Sequence, residues 1–199
     1  MPTATVTTPS RASSFTAFAA TIPGRILIGL AATLFVAAAA HAAFPLPFTP
    51  VPFTLQPLAV LLVGLALGPV DGFLVMLAYL AEGACGLPVF TPSVLGGGVP
   101  QLLGPTGGFL MSYPIVAFLA GGITSRLRRI APVFVAALVA CTVAVILLFA
   151  FGAGWFYQLT HLPLRTILTD TVFPYLPGEA VKILAAAGIF STLSRRSRI

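Results

Sequence analysis

Apolar residues gather in six blocks along this chain, at about 26–43, 55–68, 73–86, 106–125, 130–152 and 177–193. Glycine, proline and arginine sit between them. Each block predicts a helix. Gly68-Pro69-Val70-Asp71-Gly72 is a turn signal, so 55–86 reads as two helices joined there, or as one long kinked helix. The last block opens at Pro177-Gly178 and closes at Arg195. Proline suits a first helical turn, where its missing N–H would be unsatisfied anyway. Blocks of 14 to 17 residues are short for a hydrocarbon core of about 30 Å at about 1.5 Å per residue. Such helices need flanking turns or local thinning of the bilayer.

Composition turns this pattern into a membrane protein. Hydrophobic residues make up 58% of the 199 and charged residues 7%. Soluble domains carry about 25% charged residues, so this chain cannot cover a water-facing surface. A soluble enzyme, a nucleic-acid binder and a disordered chain are excluded. The net charge of +6 does not reopen nucleic acid, because the arginines fall in short patches beside apolar blocks.

Those patches settle the parity of the spans. With six spans and the N-terminus inside, Arg11, Arg25, Arg126, Arg128, Arg129, Arg195, Arg196 and Arg198 all lie on the cytoplasmic side. Five spans would put Arg126, Arg128 and Arg129 opposite the N-terminal arginines, so six is preferred. The expected fold is an all-α integral membrane protein with six transmembrane helices and cytoplasmic termini. Extracytoplasmic loops cap a ligand cavity. Residues 1–24 are expected to be a loose cytoplasmic tail, 25–194 a single membrane domain and 195–199 a basic cytoplasmic end. A competing reading takes 26–40 as a signal-peptide core cleaved near Ala40-His41-Ala42. Cleavage would leave five spans and the same C-terminal side.

Three outer segments, about 44–56, 86–105 and 153–178, are too apolar for ordinary solvent loops. They can fold over the helix ends and close a cavity, since irregular backbone at membrane depth is tolerated where protein buries it.

Few residues can carry chemistry. The acids are Asp71, Glu82, Asp170 and Glu179, and the one lysine is Lys182. Asp71 reads as a turn residue and Asp170 as a loop residue. Glu82, on one face with Tyr79, either lines the cavity or reaches the interface. Glu179 and Lys182 are i and i+3 on the last helix and share a face. They are either a local ion pair or an acceptor and donor aimed into a pocket. An ionisable pair in an apolar span is a functional-site hypothesis by default. His41 and His161 stand alone, so no metal site is supported, and Cys85 and Cys141 form no metal or redox motif. No P-loop is present, so ATP hydrolysis on this chain is excluded. No nucleophile elbow appears, and no catalytic residue is expected. Gly29, Thr33 and Ala37 recur every four residues on the first helix, and small residues at this spacing let another helix approach closely. They serve internal packing or docking onto a separate subunit.

Taken together, Val51-Pro-Phe-Thr-Leu-Gln56, Tyr79 with Gly83–Gly86, Leu87-Pro-Val-Phe90, Gly104-Pro-Thr-Gly-Gly108 and Pro177-Gly-Glu-Ala-Val-Lys182 resemble the BioY family. These are the biotin-specific substrate-binding (S) components of energy-coupling factor (ECF) transporters. The resemblance runs in order from about residue 25 to 193. It implies a six-helix fold in the plasma membrane and high-affinity capture of biotin from the outer side. It also implies work with a transmembrane coupling subunit and two ATPase subunits, with no cofactor. The family's acid-x-x-Lys falls on Glu179 and Lys182, with Glu where Asp is usual. A carboxylate can accept from the ureido N–H groups of biotin and an ammonium can donate to its carbonyl. The resemblance extends the binding set to Gln56, Gln101, Tyr157 and Phe90, with Phe53 and Trp155 as further apolar walls. Gln101, Thr106 and Arg165 are candidates for the carboxylate end. Gly29, Thr33 and Ala37 become the expected coupling surface. Two rivals stay open, an S component for another vitamin and a self-sufficient carrier for a small solute.

Overall fold

The structure, a computed structural model, describes residues 21–47, 49–93 and 96–196. Most of the expected N-terminal tail and the last three residues lie outside these. All six apolar blocks are helices: α1 (Ile22–His41), α2 (Gln56–Leu67), α3 (Pro69–Ala84), α5 (Gly107–Leu127), α6 (Val133–Thr160) and α8 (Leu176–Arg196). Between them lie a hairpin of β1 (Ala43–Phe44) and β2 (Phe53–Thr54), the short α4 (Gly98–Leu102), α7 (Leu164–Thr171) and a 3-10 turn (Phe173–Tyr175). Four segments are long and apolar enough to cross a membrane: Ile22–His41, Gly107–Leu127, Val133–Thr160 and Leu164–Arg195. At 12 residues, α2 is a shorter apolar helix.

Helix α1 begins before the expected boundary. The Thr21 hydroxyl accepts from the Gly24 N–H at 3.1 Å, a side-chain cap, and Pro23 occupies the first turn. Residues 55–86 form two helices, not one kinked helix. Gly68 takes φ 82°, a left-handed conformation that other residues reach only at a cost, and Pro69 starts α3. The chain reverses so sharply there that a Cβ on Gly72 would lie 3.1 Å from the Gly64 Cα.

The bundle is built around α5. A Cβ on Gly64 would run into the backbone of Ala117, and one on Gly121 into Gly64 and Gly68. At the other end of α5, Gly108 lies against Trp155 and Gly152 of α6 against Phe109. Glycines let these backbones approach closely enough for dispersion contacts to replace a hydrophobic drive that lipid cannot supply. Cys141 and Val145 of α6 are buried in the same core.

The two ends of the bundle differ. At one end Arg25 of α1 is paired with Asp71 in the first turn of α3. Arg126 in the last turn of α5 and Arg195 in the last turn of α8 lie at that end too. At the other end are the hairpin, α4, α7 and the start of α8. This second end departs from expectation in one respect. The segment 153–178 is largely helical, because α6 continues to Thr160. Nothing breaks it before His161, which adopts φ 52°, and Leu162, whose helical conformation is disfavoured by Pro163.

Candidate ligand-binding site

The loop end encloses a cavity with about 580 Å³ of empty space, counting its open mouth. Val51, Pro52 and Thr54 come from the hairpin, Gln56 and Pro57 from the start of α2, and Thr91 and Gln101 from the segment leading through α4. The remaining wall is supplied by α5, the middle of α6, Thr171, Tyr175 and the first two turns of α8. Leu110, Leu148, Phe109 and Phe149 make much of it apolar.

Glu179 and Lys182 both line this cavity and are each only 4% exposed. The Lys182 Nζ donates to Glu179 Oε1 at 2.6 Å and sits 4.1 Å from the centroid of the Phe53 ring. A cation over an aromatic face gains from the ring quadrupole, more so when desolvated. Lys182 therefore turns inward and does not snorkel. The other carboxylate oxygen, Glu179 Oε2, is buried and has no hydrogen-bond partner. An unsatisfied buried acceptor costs about 1–3 kcal/mol, more if charged. As a carboxylate oxygen it can accept from an N–H donor.

Gly178 makes this arrangement possible, since a Cβ there would collide with the Phe53 ring. Phe53 also stacks on Tyr175, with centroids 6.4 Å apart and planes 9° from parallel. The Tyr175 hydroxyl donates to the Val51 carbonyl, and the Thr49 hydroxyl donates to the Asp170 carbonyl at 2.7 Å. The hairpin is thus tied to the α7–α8 corner.

A chain of neutral groups forms another wall. The Tyr79 hydroxyl donates to the Val89 carbonyl at 2.6 Å and accepts from Gln56 Nε2 at 2.7 Å. Gln56 Oε1 accepts from the Thr91 hydroxyl at 3.3 Å, and Gln101 Nε2 donates to the Thr91 carbonyl at 2.7 Å. Each amide keeps a second N–H.

Of the residues expected to bind, Glu179, Lys182, Gln56 and Gln101 come together in the cavity, with Thr106 beside them. Phe90 does not line it. Its ring packs on Gly83 and edge-on to Tyr79, behind the neutral wall. Tyr157 is 47% exposed on α6, against His161, and Arg165 is exposed on α7. Trp155 donates its indole N–H to the Gly104 carbonyl at 2.9 Å and braces the start of α5. Glu82 accepts from the Thr33 hydroxyl at 3.1 Å and lines a groove among α1, α2 and α3 instead of the cavity. Gly29 and Thr33 line the same groove, whereas Ala37 is buried in the core. Thr91, Tyr113, Thr171 and Tyr175 are lining residues that sequence reasoning left unassigned. Tyr175 could have been flagged as an aromatic just before the acidic turn of α8.

A membrane-embedded helical bundle with an apolar cavity and one buried ion pair at one end has the build of a solute-binding membrane protein. The profile described as the BioY family matches residues 11–198. The chain belongs to the BioY family. It is 36% identical over 178 residues to the biotin transporter BioY of Rhodobacter capsulatus, covering 85% of this chain and 92% of that one. It is 35% identical over 144 residues to the probable biotin transporter BioY of Pyrococcus horikoshii, covering 72% and 81%. A crystal structure of the S-component for biotin from an ECF-type ABC transporter superposes with a TM-score of 0.79 at 25% identity, covering 94% of this chain and 95% of that one. These relatives are named as transporters and a transporter component, not as enzymes.

Proposed function

We propose that this chain is a biotin-binding S component of an ECF-type transporter. The observation that carries the reading is the Glu179–Lys182 pair, buried in the cavity with Glu179 Oε2 unpartnered. The ureido ring of biotin supplies what the pair needs, with an N–H for the free carboxylate oxygen and a carbonyl for an ammonium hydrogen. Charge-assisted bonds of this kind are about twice as strong as neutral ones. Leu110, Leu148 and Phe149 offer apolar surface to the thiophane ring and the valerate chain. Gln56, Gln101, Thr91 and Thr106 are the proposed neutral contacts, and Phe90 acts through Tyr79.

The wider assembly follows from the same reading. A transmembrane coupling subunit and two ATPase subunits would supply the energy, since the sequence carries no phosphate-binding loop. Gly29 and Thr33, which open onto the α1–α3 groove, are proposed as part of the coupling face. Six spans in the plasma membrane are proposed, with both termini cytoplasmic and a single domain over 25–194. The arginine-rich end supports that orientation, and the cavity then opens outward.

The test is calorimetry of biotin on the purified chain in detergent. Wild type should bind tightly, and Glu179→Gln and Lys182→Ala should each lose at least tenfold. That corresponds to about 1.4 kcal/mol, within the cost of removing a charged hydrogen bond. Tight binding that survives both changes would move the ureido ring elsewhere. No binding to folded wild type would return other vitamins to consideration.

A further inference from the structure

The proposed biotin site contains no spare positive charge. Among the described residues only Glu179 and Lys182 bring charged side chains to the cavity wall, and they are paired with each other. Phe48, Val94 and Leu95, which lie outside the described residues, are uncharged. Arg165 is the candidate cation at this end of the bundle, but it is exposed and does not line the cavity. It lies two residues before Ile167, about 200° around the α7 helix, and Ile167 is fully buried. The rest of the polar lining consists of amides and hydroxyls, with Gln56 and Gln101 offering amide N–H donors.

From this charge balance we infer that the cavity reads the tail of its ligand through neutral hydrogen bonds, and so takes carboxyl-amidated biotin as well as the free acid. The inference rests on the biotin reading and names the ligand class more finely. With Glu179 and Lys182 holding the ureido ring, a tail carboxylate meets no ionic anchor anywhere in the wall. It brings a full negative charge into a largely apolar space and loses hydration there. An amide carbonyl accepts from the same N–H donors without that cost. The stronger hydrogen bonds of the carboxylate offset part of the penalty, which leaves acid and amide comparable.

Ionised biotin and its primary amide differ by one carboxylate oxygen against an amino group, so shape is held nearly constant while the charge is removed. Both are titrated into the purified full-length chain by calorimetry. The expected result is an amide affinity within about tenfold of that of the acid, or about 1.4 kcal/mol. Tight biotin binding with an amide weaker by more than tenfold overturns the inference while leaving the biotin site standing. Failure of both ligands on folded protein instead removes the biotin reading itself. The Gln101→Glu variant gives a second readout. It adds a negative charge to the cavity, so binding of the acid should fall at least tenfold more than binding of the amide. Equal loss of both in a variant that keeps its wild-type melting temperature counts against the inference. The wild-type acid-to-amide ratio stands alone if that variant does not fold.

Discussion

Tyr79 shows how much a single hydroxyl can arrange. It is fully buried, yet it is not among the residues that line the cavity. By donating to the Val89 carbonyl it leaves only its lone pairs for Gln56, which fixes the amide nitrogen on the Tyr79 side and the amide oxygen on the Thr91 side. Tyr79→Phe frees both partners and leaves buried groups unsatisfied, at about 1–3 kcal/mol. Biotin affinity should drop about tenfold, with helix content by circular dichroism unchanged. At this scale the sequence was partly legible. Glu179, Lys182, Gln56 and Gln101 stand out because polar side chains are scarce in such a chain and expensive to bury. Phe90 and Tyr157 could not be sorted the same way. An aromatic ring is equally at home in a pocket wall, behind it or at a lipid interface, and only the packing of Gly83 against Phe90 decides.

Helices in this protein meet where side chains are missing. Gly64→Val would drive a side chain into the backbone of Ala117, and backbone cannot swing aside as a flexible side chain can. Overpacking of this kind costs about 1–3 kcal/mol, so the variant should unfold at a clearly lower temperature in detergent. Gly154→Ala is the counterpart, because a Cβ there meets nothing within 4 Å. It should be neutral or slightly stabilising, as alanine is favoured over glycine in a helix by up to about 1 kcal/mol. The six helices were visible as apolar blocks, and Gly68-Pro69 marked the break between α2 and α3. Their faces were not visible. A helix with lipid on one side and a core on the other is apolar all round, so its sequence has no clear polar stripe from which to read direction. The stripe of Gly29, Thr33 and Ala37 illustrates this, since Thr33 turns towards Glu82 and Ala37 into the core.

The whole molecule has one arginine-rich end and one cavity-bearing end, which makes its orientation testable. Cys85, at the C-terminal cap of α3, is exposed at the cavity end, while Cys141 is buried in the core. A membrane-impermeant maleimide applied to intact cells should label wild type through Cys85. It should not label Arg128→Cys in a Cys85→Ser background until the membrane is opened. The reverse pattern would invert the proposed topology. Charge parity is the sequence signal at this scale, and the labelling pattern is what tests it. The length of α6 had no such signal, because no proline or charged residue between 152 and 160 marks where the membrane ends and the helix continues.

Phe53 belongs to the hairpin, yet its ring is the face on which the Lys182 ammonium rests. Any movement of the hairpin wide enough to admit a solute therefore strips the ammonium of its ring in the same instant. Where entry requires that movement, arrival has a clock of its own. As solute concentration rises, the observed capture rate should level off at the frequency with which the hairpin lets go, well before collisions become limiting. Where departure needs the same movement, a slow hairpin would give long occupancy without a single additional contact.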